Sequence, residues 1–484
     1  MEKEKSIKLN FLMNALLSIS SFIFPLITYP YVSRVLQPEG LGSVNFATSI
    51  ITYFSMFAQL GIPIYGVKAC AQVRDDREKL SKTVHELLII NLVVCAISYC
   101  VLALTILFVP KIYENKALFM VIGSSILFNS IGCEWLYKAL EKYVYITTRS
   151  MIFKAIAVVA MLLLVHQRDD YVIYGGISIF AASAANILNL INIRHYISLR
   201  KLKSYDFRRH FRPILIYFLM SCSVTVYTNL DTVMIGFIKD EVEVAYYSTA
   251  IKVKVILTSA IASLGNVILP RASNYWAKNL KDKFFSMGVR AVNFVAVTSI
   301  PLTIYFMVFA REGVLLLAGD AYTDAIIPMQ IIMLTLFPIA LGNIIGIQML
   351  VPMGGETSVL RAEIVGAVVD FILNLILIPR LASAGAAIST VIAEVCVTLL
   401  LYLSFKKRVN TAFLSNIKWI KICFAMFVAC ACSFWVKLLF QNSFVTLAVS
   451  ATLFACVYIL MLYIVKEPGV ITIFNEMKVK LKRK

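Results

Sequence analysis

Long apolar runs, each about the length of a membrane crossing, follow one another along almost the whole chain of 484 residues. A helix needs about 17 to 25 mainly apolar residues to cross a bilayer. Short polar links such as "HQRDDY" and "KDEVE" separate the runs, which lie near residues 11–33, 41–65, 86–109, 117–137, 148–165, 171–193, 213–238, 244–270, 288–309, 323–352, 360–379, 384–404, 420–440 and 444–465. The pattern predicts an all-α integral membrane protein with about fourteen transmembrane helices.

Composition agrees with this prediction, because 60% of the residues are hydrophobic, only 15% are charged, and the mean hydropathy is +0.82. A soluble chain with this mixture would expose more apolar surface than it could bury. The ten cysteines form no Cys-x-x-Cys pair and are expected to be small core residues, and the four histidines are expected to be solvated at span ends or in loops. We therefore expect neither a bound metal nor a cofactor.

The net charge of +19 would suit a nucleic-acid binder, but the placement of the 46 Lys and Arg residues argues otherwise. If the N-terminus is cytoplasmic, 36 of them fall in inside segments and 8 in outside loops. This asymmetry follows the positive-inside rule, so both termini are predicted to be cytoplasmic and no nucleic-acid partner is expected. The densest basic cluster, residues 194–213, is interpreted as a topology signal that contacts lipid headgroups.

A weak internal repeat organises the chain. Residues 36–50 resemble 237–251, and 59–69 resemble 263–273, at an offset just over 200. A further pair shares Asn-x-Ile-Gly at an offset of 214 and aligns 129–150 with 343–364. Six spans separate equivalent points, so both halves would enter the membrane from the same side.

The repeat predicts two parallel six-helix lobes around a central cavity, with two further helices after them. The predicted divisions are 1–205 for the first lobe, 206–410 for the second, and 411–484 for the two extra helices and a basic cytoplasmic tail. Rocking of such lobes would give alternating access. The chain has no Walker A loop and no large hydrophilic domain, so we expect a transporter and not an enzyme.

Charged residues inside the spans are the candidate functional residues, since each costs roughly 2.5–3.5 kcal/mol at the centre of a membrane helix. Lys252 and Lys254 lie deep in the eighth span and point about 200° apart on a helix. One of them could pair with Asp231 on the seventh span, as a structural contact, while the other faces a cavity and binds an anion. Alternatively, the site serves a coupling ion.

The other candidates are divided by their depth in the spans. Glu134, Asp370 and Glu394 are deep enough to favour a paired or functional role as cavity acids. Arg34 lies at the outer end of the first span and could be only an anchor. Four residues near the inner interface could simply extend to the headgroups: Arg149, Lys154, Arg361 and Glu363. Arg149 is also a candidate for binding the substrate.

Several stretches together resemble the bacterial polysaccharide-biosynthesis membrane proteins, which are lipid-linked oligosaccharide flippases of O-antigen and capsule assembly. The likeness extends over residues 9–410 and is carried by "YPYVSRVLQPEGLGSVNFATSI", "LGIPIYGVKACAQVRDDREKLS", "EWLYKALEKYVYITTRS", "NLDTVMIG" and "AYYSTAIKV". This family belongs to the superfamily of multidrug, oligosaccharidyl-lipid and polysaccharide exporters.

The resemblance implies that an undecaprenyl-pyrophosphate-linked oligosaccharide passes from the inner to the outer leaflet of the bacterial inner membrane. By motif position it implies functional roles for Arg34, Lys68, Asp231 and Lys252. Lys68 stands where the family often has Arg, which keeps the charge but loses a bidentate phosphate contact. A polysaccharide polymerase, glycosyltransferases and membrane lipids are the partners it suggests.

Two alternative functions are compatible with the same architecture. A cation-coupled multidrug extruder would need a cavity dominated by carboxylates, whereas cations and acids are mixed here. In a non-transporting scaffold for polysaccharide assembly, the charges in the spans would serve only as structural pairs.

Overall fold

The structure is a computed structural model and describes residues 2–200, 204–262, 265–409, 418–468 and 470–471. In this part of the chain the secondary structure is helical. Contacts divide the chain into two compact units, Met1–Ala245 and Tyr246–Lys484. The predicted lobe limits of 205 and 410 are based on sequence repeats and stay a prediction; the limit at 410/411 lies outside the described residues.

The first unit contains ten α-helices: α1 (Glu2–Gln59), α2 (Ile62–Ala71), α3 (Arg77–Phe108), α4 (Pro110–Glu114), α5 (Lys116–Ile131), α6 (Glu134–Ala139), α7 (Tyr143–Leu164), α8 (Tyr171–Ile179), α9 (Ala185–Asn192) and α10 (Arg208–Ile238). Short 3₁₀ segments cover Arg168–Asp170 and Ile193–His195, and a π-helical turn, Phe180–Ala184, joins α8 to α9.

Helix α11 (Glu241–Ala262) leads into the second unit, which continues with α12 (Gly265–Ala277), α13 (Lys281–Val308), α14 (Ala310–Leu317), α15 (Ile326–Met333), α16 (Leu336–Asn343), α17 (Glu356–Arg408), α18 (Trp419–Phe434), α19 (Val436–Leu439) and α20 (Ser443–Ile464). A 3₁₀ segment, Asp320–Ala325, precedes α15, and a π-helix, Ile344–Leu350, follows α16.

Twelve helical segments of the described chain are long and apolar enough to cross a membrane. Two of them, Leu12–Ala71 with 60 residues and Glu356–Arg408 with 53, have room for two crossings each, since one crossing takes about 20 residues. Each is broken by a residue with positive φ, Gln37 at 58° and Ala382 at 51°. Together the segments supply the fourteen predicted crossings, and the all-α membrane class is confirmed.

The break at Ala382 folds α17 into a hairpin. A Cβ placed on Gly366 would lie 2.2 Å from Cγ2 of Val397, a residue 31 positions further along the chain. The two arms are therefore packed in direct contact, and a glycine at this position allows their close approach.

Each unit has its own apolar core. In the first, α2 packs on α6, where the ring of Trp135 covers Gly66, and Gly61, with a φ of 70°, lies against the backbone of α10. In the second, the C-terminal helices α18 and α20 pack on α13 through buried aromatic residues. There Tyr305 donates to the Leu447 carbonyl at 3.1 Å and Tyr458 to the Val297 carbonyl at 2.9 Å.

The expectation that the cysteines are core residues holds only in part. Cys70, Cys95 and Cys133 are buried, but four cysteines are exposed, namely Cys100, Cys423, Cys432 and Cys456. Thiols are apolar enough to face lipid as well as protein.

Candidate functional site

The predicted cationic residues of the first unit lie in two kinds of surroundings. Arg34 and Lys68 are exposed, and the Arg34 guanidinium donates to the Pro30 carbonyl at 2.6 Å. Arg149 is only 5% exposed. Arg34 and Lys68 are thus accessible to a ligand, whereas the protein surrounds Arg149.

Arg149 binds to three groups of its own unit and does not extend to the membrane surface as a helix-end anchor. Its guanidinium donates to the Ala185 carbonyl, to Asn186 Oδ1 at 3.4 Å and to Glu134 Oε2 at 3.4 Å. Glu134 also pairs with Lys138 at 2.8 Å. These contacts join α6, α7 and α9, so the Arg149–Glu134 pair positions helices.

Lys252 and Lys254 are both half-buried in α11. This helix extends from Glu241 to Ala262, so at 1.5 Å per residue Lys252 lies about 16 Å from its beginning, close to the middle of the helix. Two lysines near the middle of a membrane helix are costly unless water, a partner or a ligand meets them. The suggested pairing with Asp231 stays a prediction.

The predicted acidic residues are buried or half-buried. Asp231 is buried in α10, and Asp370, only 1% exposed in α17, accepts a hydrogen bond of 3.4 Å from Asn374. Glu394 is half-buried on the second arm of α17, and Glu363 is exposed on the first arm.

A buried ionic network in the first unit was missed by the sequence analysis. Glu86, with no exposed surface, accepts hydrogen bonds from the Asp206 backbone at 2.7 Å, from the Arg209 guanidinium, and from His210 Nε2 at 2.8 Å. His210 Nδ1 in turn lies 2.7 Å from the Tyr65 hydroxyl. The network fixes the beginning of α10 on α3.

The expectation that all four histidines are solvated is therefore wrong for His210, which is 2% exposed. Its burial could not be inferred from its position at the end of a span, because the carboxylate that it contacts lies 124 residues earlier in the chain. Among the described residues, no three His, Cys, Asp or Glu side chains come together as metal ligands.

The first unit also contains a cavity of about 410 Å³ that no prediction identified. Its polar lining consists of hydroxyl and carboxamide side chains, none of them charged among the described residues: Thr48, Thr52, Ser55, Gln59, Ser125, Asn129, Ser183, Ser221 and Thr225. Apolar residues complete the wall, among them Ile51 and Ile122. Such a surface can hydrogen-bond a neutral polar ligand and contact its C–H groups.

The repeat places a second, smaller cavity at the corresponding position of the second unit. It measures about 230 Å³, and its polar residues are Thr258, Ser259, Asn343 and Gln348. Asn129 and Asn343, the first residues of the shared Asn-x-Ile-Gly, line the two cavities. In both units the helix becomes irregular within four residues of this asparagine, at Cys133 with a φ of 42° and in the π-helix Ile344–Leu350.

Comparison with known proteins agrees with this architecture. A relative from Escherichia coli (strain K12), named "Putative O-antigen transporter", is 23% identical over 82% of this chain and 96% of its own. The solved structure of the lipid II flippase MurJ in an inward closed conformation aligns with a TM-score of 0.70 at 16% identity, over 93% of this chain and 98% of that one.

An inward-facing multidrug resistance transporter of the MATE family has a TM-score of 0.63 at 13% identity, over 81% of this chain and 95% of that one. At these identities, the two solved structures establish a shared fold. The family model described as "Polysaccharide biosynthesis protein" matches residues 7–276, more than half of the chain. This membrane protein of two helical units belongs to the polysaccharide biosynthesis protein family.

Proposed function

We propose that the protein is a flippase that moves an undecaprenyl-pyrophosphate-linked oligosaccharide from the inner to the outer leaflet of the bacterial inner membrane. The observation that carries the proposal is the family match over residues 7–276, in a chain whose membrane helices retain polar and charged side chains. The name of the Escherichia coli relative refers to O-antigen transport, and MurJ is named a lipid II flippase.

The proposed substrate explains why charges are retained in the spans. Moving a pyrophosphate and its sugars through hydrocarbon would strip them of water at a cost of many kcal/mol, so polar protein groups must replace that water. The polyprenyl tail needs no such replacement and stays in lipid. The two lobes would present the polar path to each leaflet in turn by alternating access, with both termini in the cytoplasm.

The candidate residues take different parts in this proposal. Lys252 would provide the main counter-charge to the pyrophosphate, since it lies halfway along α11, at a depth where membrane proteins retain charged residues mainly for function. Arg34, Lys68 and Lys254 would contact the anion along its route. The acids Asp231, Asp370 and Glu394 would neutralise these cations or couple the cycle to an ion.

Arg149 and Glu134 have a positioning role in this proposal. The Arg149 guanidinium already donates to the Ala185 carbonyl, to Asn186 and to Glu134, and Glu134 also pairs with Lys138. Their loss would act on the helix packing of the first unit, and through it on transport.

Complementation of a strain that lacks the protein tests the proposal. We expect Lys252→Ala to abolish surface polysaccharide while leaving the amount of membrane-inserted protein unchanged. Lys252→Arg, which keeps the charge, should retain part of the surface polysaccharide. Lys278→Ala, which removes an exposed lysine after α12, is the matched control and should resemble wild type.

Three other outcomes would contradict parts of the proposal. Loss of the protein itself in Lys252→Ala would assign Lys252 to a structural pair. Normal surface polysaccharide in the deletion strain would favour the drug extruder, and normal flux with disturbed assembly of the polysaccharide would favour the scaffold.

A further inference from the structure

We propose that the cavity of the first unit binds the sugar part of the substrate, an uncharged oligosaccharide rich in hydroxyl groups. This inference rests on the proposed function, because it assigns one portion of the transported lipid to a defined place. The volume of about 410 Å³ lies within the range of about 300–1,000 Å³ that is typical of small-ligand sites.

The polar lining residues recur at helical spacing, so on each helix they lie on one face. On α1 the lining residues Thr48, Thr52, Ser55 and Gln59 recur every three or four positions, which places them in one stripe. Two more helices present pairs four residues apart, Ser125 with Asn129 on α5 and Ser221 with Thr225 on α10. Three stripes that converge on one space form a built polar surface.

Asn129 is held in a fixed orientation in the wall of this cavity. Its Oδ1 accepts hydrogen bonds from Ser183 Oγ at 3.1 Å and from Asn186 Nδ2 at 3.2 Å. Because its oxygen is occupied by these donors, the group that Asn129 offers to a ligand is its amide nitrogen. Two N–H donors held in advance suit the oxygen atoms of a sugar.

The charge of the lining selects the sugar over the pyrophosphate. The described lining residues are neutral, whereas an anion of this strength requires cations or several N–H donors. Arg149, the cation on the far side of Asn186, already binds the Ala185 carbonyl and Glu134. Hydroxyl and carboxamide groups, by contrast, can both donate to and accept from a carbohydrate.

Binding measurements with two lipids test the inference. The probes are the polyprenyl-pyrophosphate oligosaccharide pool extracted from the bacterium that makes the protein, and bare polyprenyl pyrophosphate. Each is titrated into the full-length wild-type protein in nanodiscs. We expect wild type to bind both lipids, and to bind the sugar-bearing one more tightly.

Two substitutions remove hydroxyls from the cavity with little change of shape, Thr52→Val and Thr225→Val. Each should weaken the binding of the sugar-bearing lipid by about threefold to tenfold, the effect of one neutral hydrogen bond, and leave the bare lipid unaffected. Thr105→Val is the matched control: Thr105 donates to the Val101 carbonyl at 2.8 Å as Thr52 does to that of Thr48 at 2.7 Å, but it does not line the cavity.

The outcomes separate this inference from the proposed function. If wild type binds neither lipid, the flippase proposal fails. If it binds both equally, or if the two valine variants lose affinity for both lipids alike, the flippase proposal stands and the sugar site is refuted. A loss confined to the sugar-bearing lipid supports the inference.

Discussion

The cavities of the two units occupy corresponding places in the sequence repeat and use the same asparagine in different ways. In the first unit, the partners of Asn129 are Ser183 and Asn186, which come from the π-helical turn and from α9, 54 and 57 residues away. In the second, Gln348 donates to Asn343 from only five residues away, at 3.1 Å. The repeat thus preserves the position of a polar residue, while the surroundings decide what it can bind.

Helix geometry accounts for this difference. After Asn129 the chain leaves the helix at Gly132 and Cys133, which lets Asn186 lie directly on Gly132. After Asn343 the chain stays helical in π form, and its own next turn supplies the partner. The cavity beside Asn129 is the larger of the two, about 410 Å³ against about 230 Å³ beside Asn343.

The largest expected difference between the units concerns Arg149 and Glu363, which occupy equivalent repeat positions. Arg149→Gln should destabilise the protein by about 3 kcal/mol, because the buried Ala185 carbonyl and Asn186 lose their donor and the 5% exposed side chain leaves unfilled space, while Glu134 retains Lys138. Glu363→Gln removes an exposed charge and should change stability by less than about 0.5 kcal/mol. Thermal unfolding of both variants in one detergent measures the contrast, and equal losses would refute it.

The glycines of the shared Asn-x-Ile-Gly provide a second matched pair. A Cβ on Gly132 would lie 2.4 Å from Cγ of Asn186, whereas on Gly346 the nearest atom is the Leu401 Cδ1 methyl at 3.2 Å. We expect Gly132→Ala to cost about 1–3 kcal/mol through overpacking, and Gly346→Ala to be close to neutral. Thermal unfolding measures both variants. A larger loss of stability in Gly346→Ala than in Gly132→Ala would contradict the conclusion that Gly132 is the more tightly packed of the two.

The smallest of the three effects is expected when one lining residue of each cavity is replaced by its counterpart in the other unit. At the offset of 214, Ser125 corresponds to Ile339, and each lines the cavity of its unit. Ser125→Ile should lower flux of the sugar-bearing lipid about tenfold, since it fills polar space and removes a hydroxyl; tenfold corresponds to about 1.4 kcal/mol. Ile339→Ser should keep flux within about twofold of wild type, and a stronger effect there would place the sugar in the second unit.

The fold was largely predictable because membrane crossing imposes a length and an apolarity that a hydropathy pattern displays. Even the two double-length segments were resolved, since the polar link between residues 33 and 41 and the gap between 379 and 384 contain the observed breaks at Gln37 and Ala382.

The interior was much less predictable. The mean hydropathy of a whole span conceals a polar face when the other residues are strongly apolar. This is the case for the stripe formed by Thr48, Thr52, Ser55 and Gln59. Counting polar residues by helical position would have revealed this stripe. The Glu86–His210 contact had no such signal, because both residues lie near span ends and only tertiary structure brings them together.

Transport itself is tested most directly in vesicles that contain the purified wild-type protein and the lipid-linked oligosaccharide. A membrane-impermeant glycosidase is added outside, and the protected fraction of the sugar is followed over time. We predict that the inner-leaflet sugar stays protected in protein-free vesicles and becomes exposed to the glycosidase in vesicles that contain the protein. The flippase proposal would be contradicted if the sugar stayed protected in vesicles with well-folded protein, both with and without an ion gradient across the membrane.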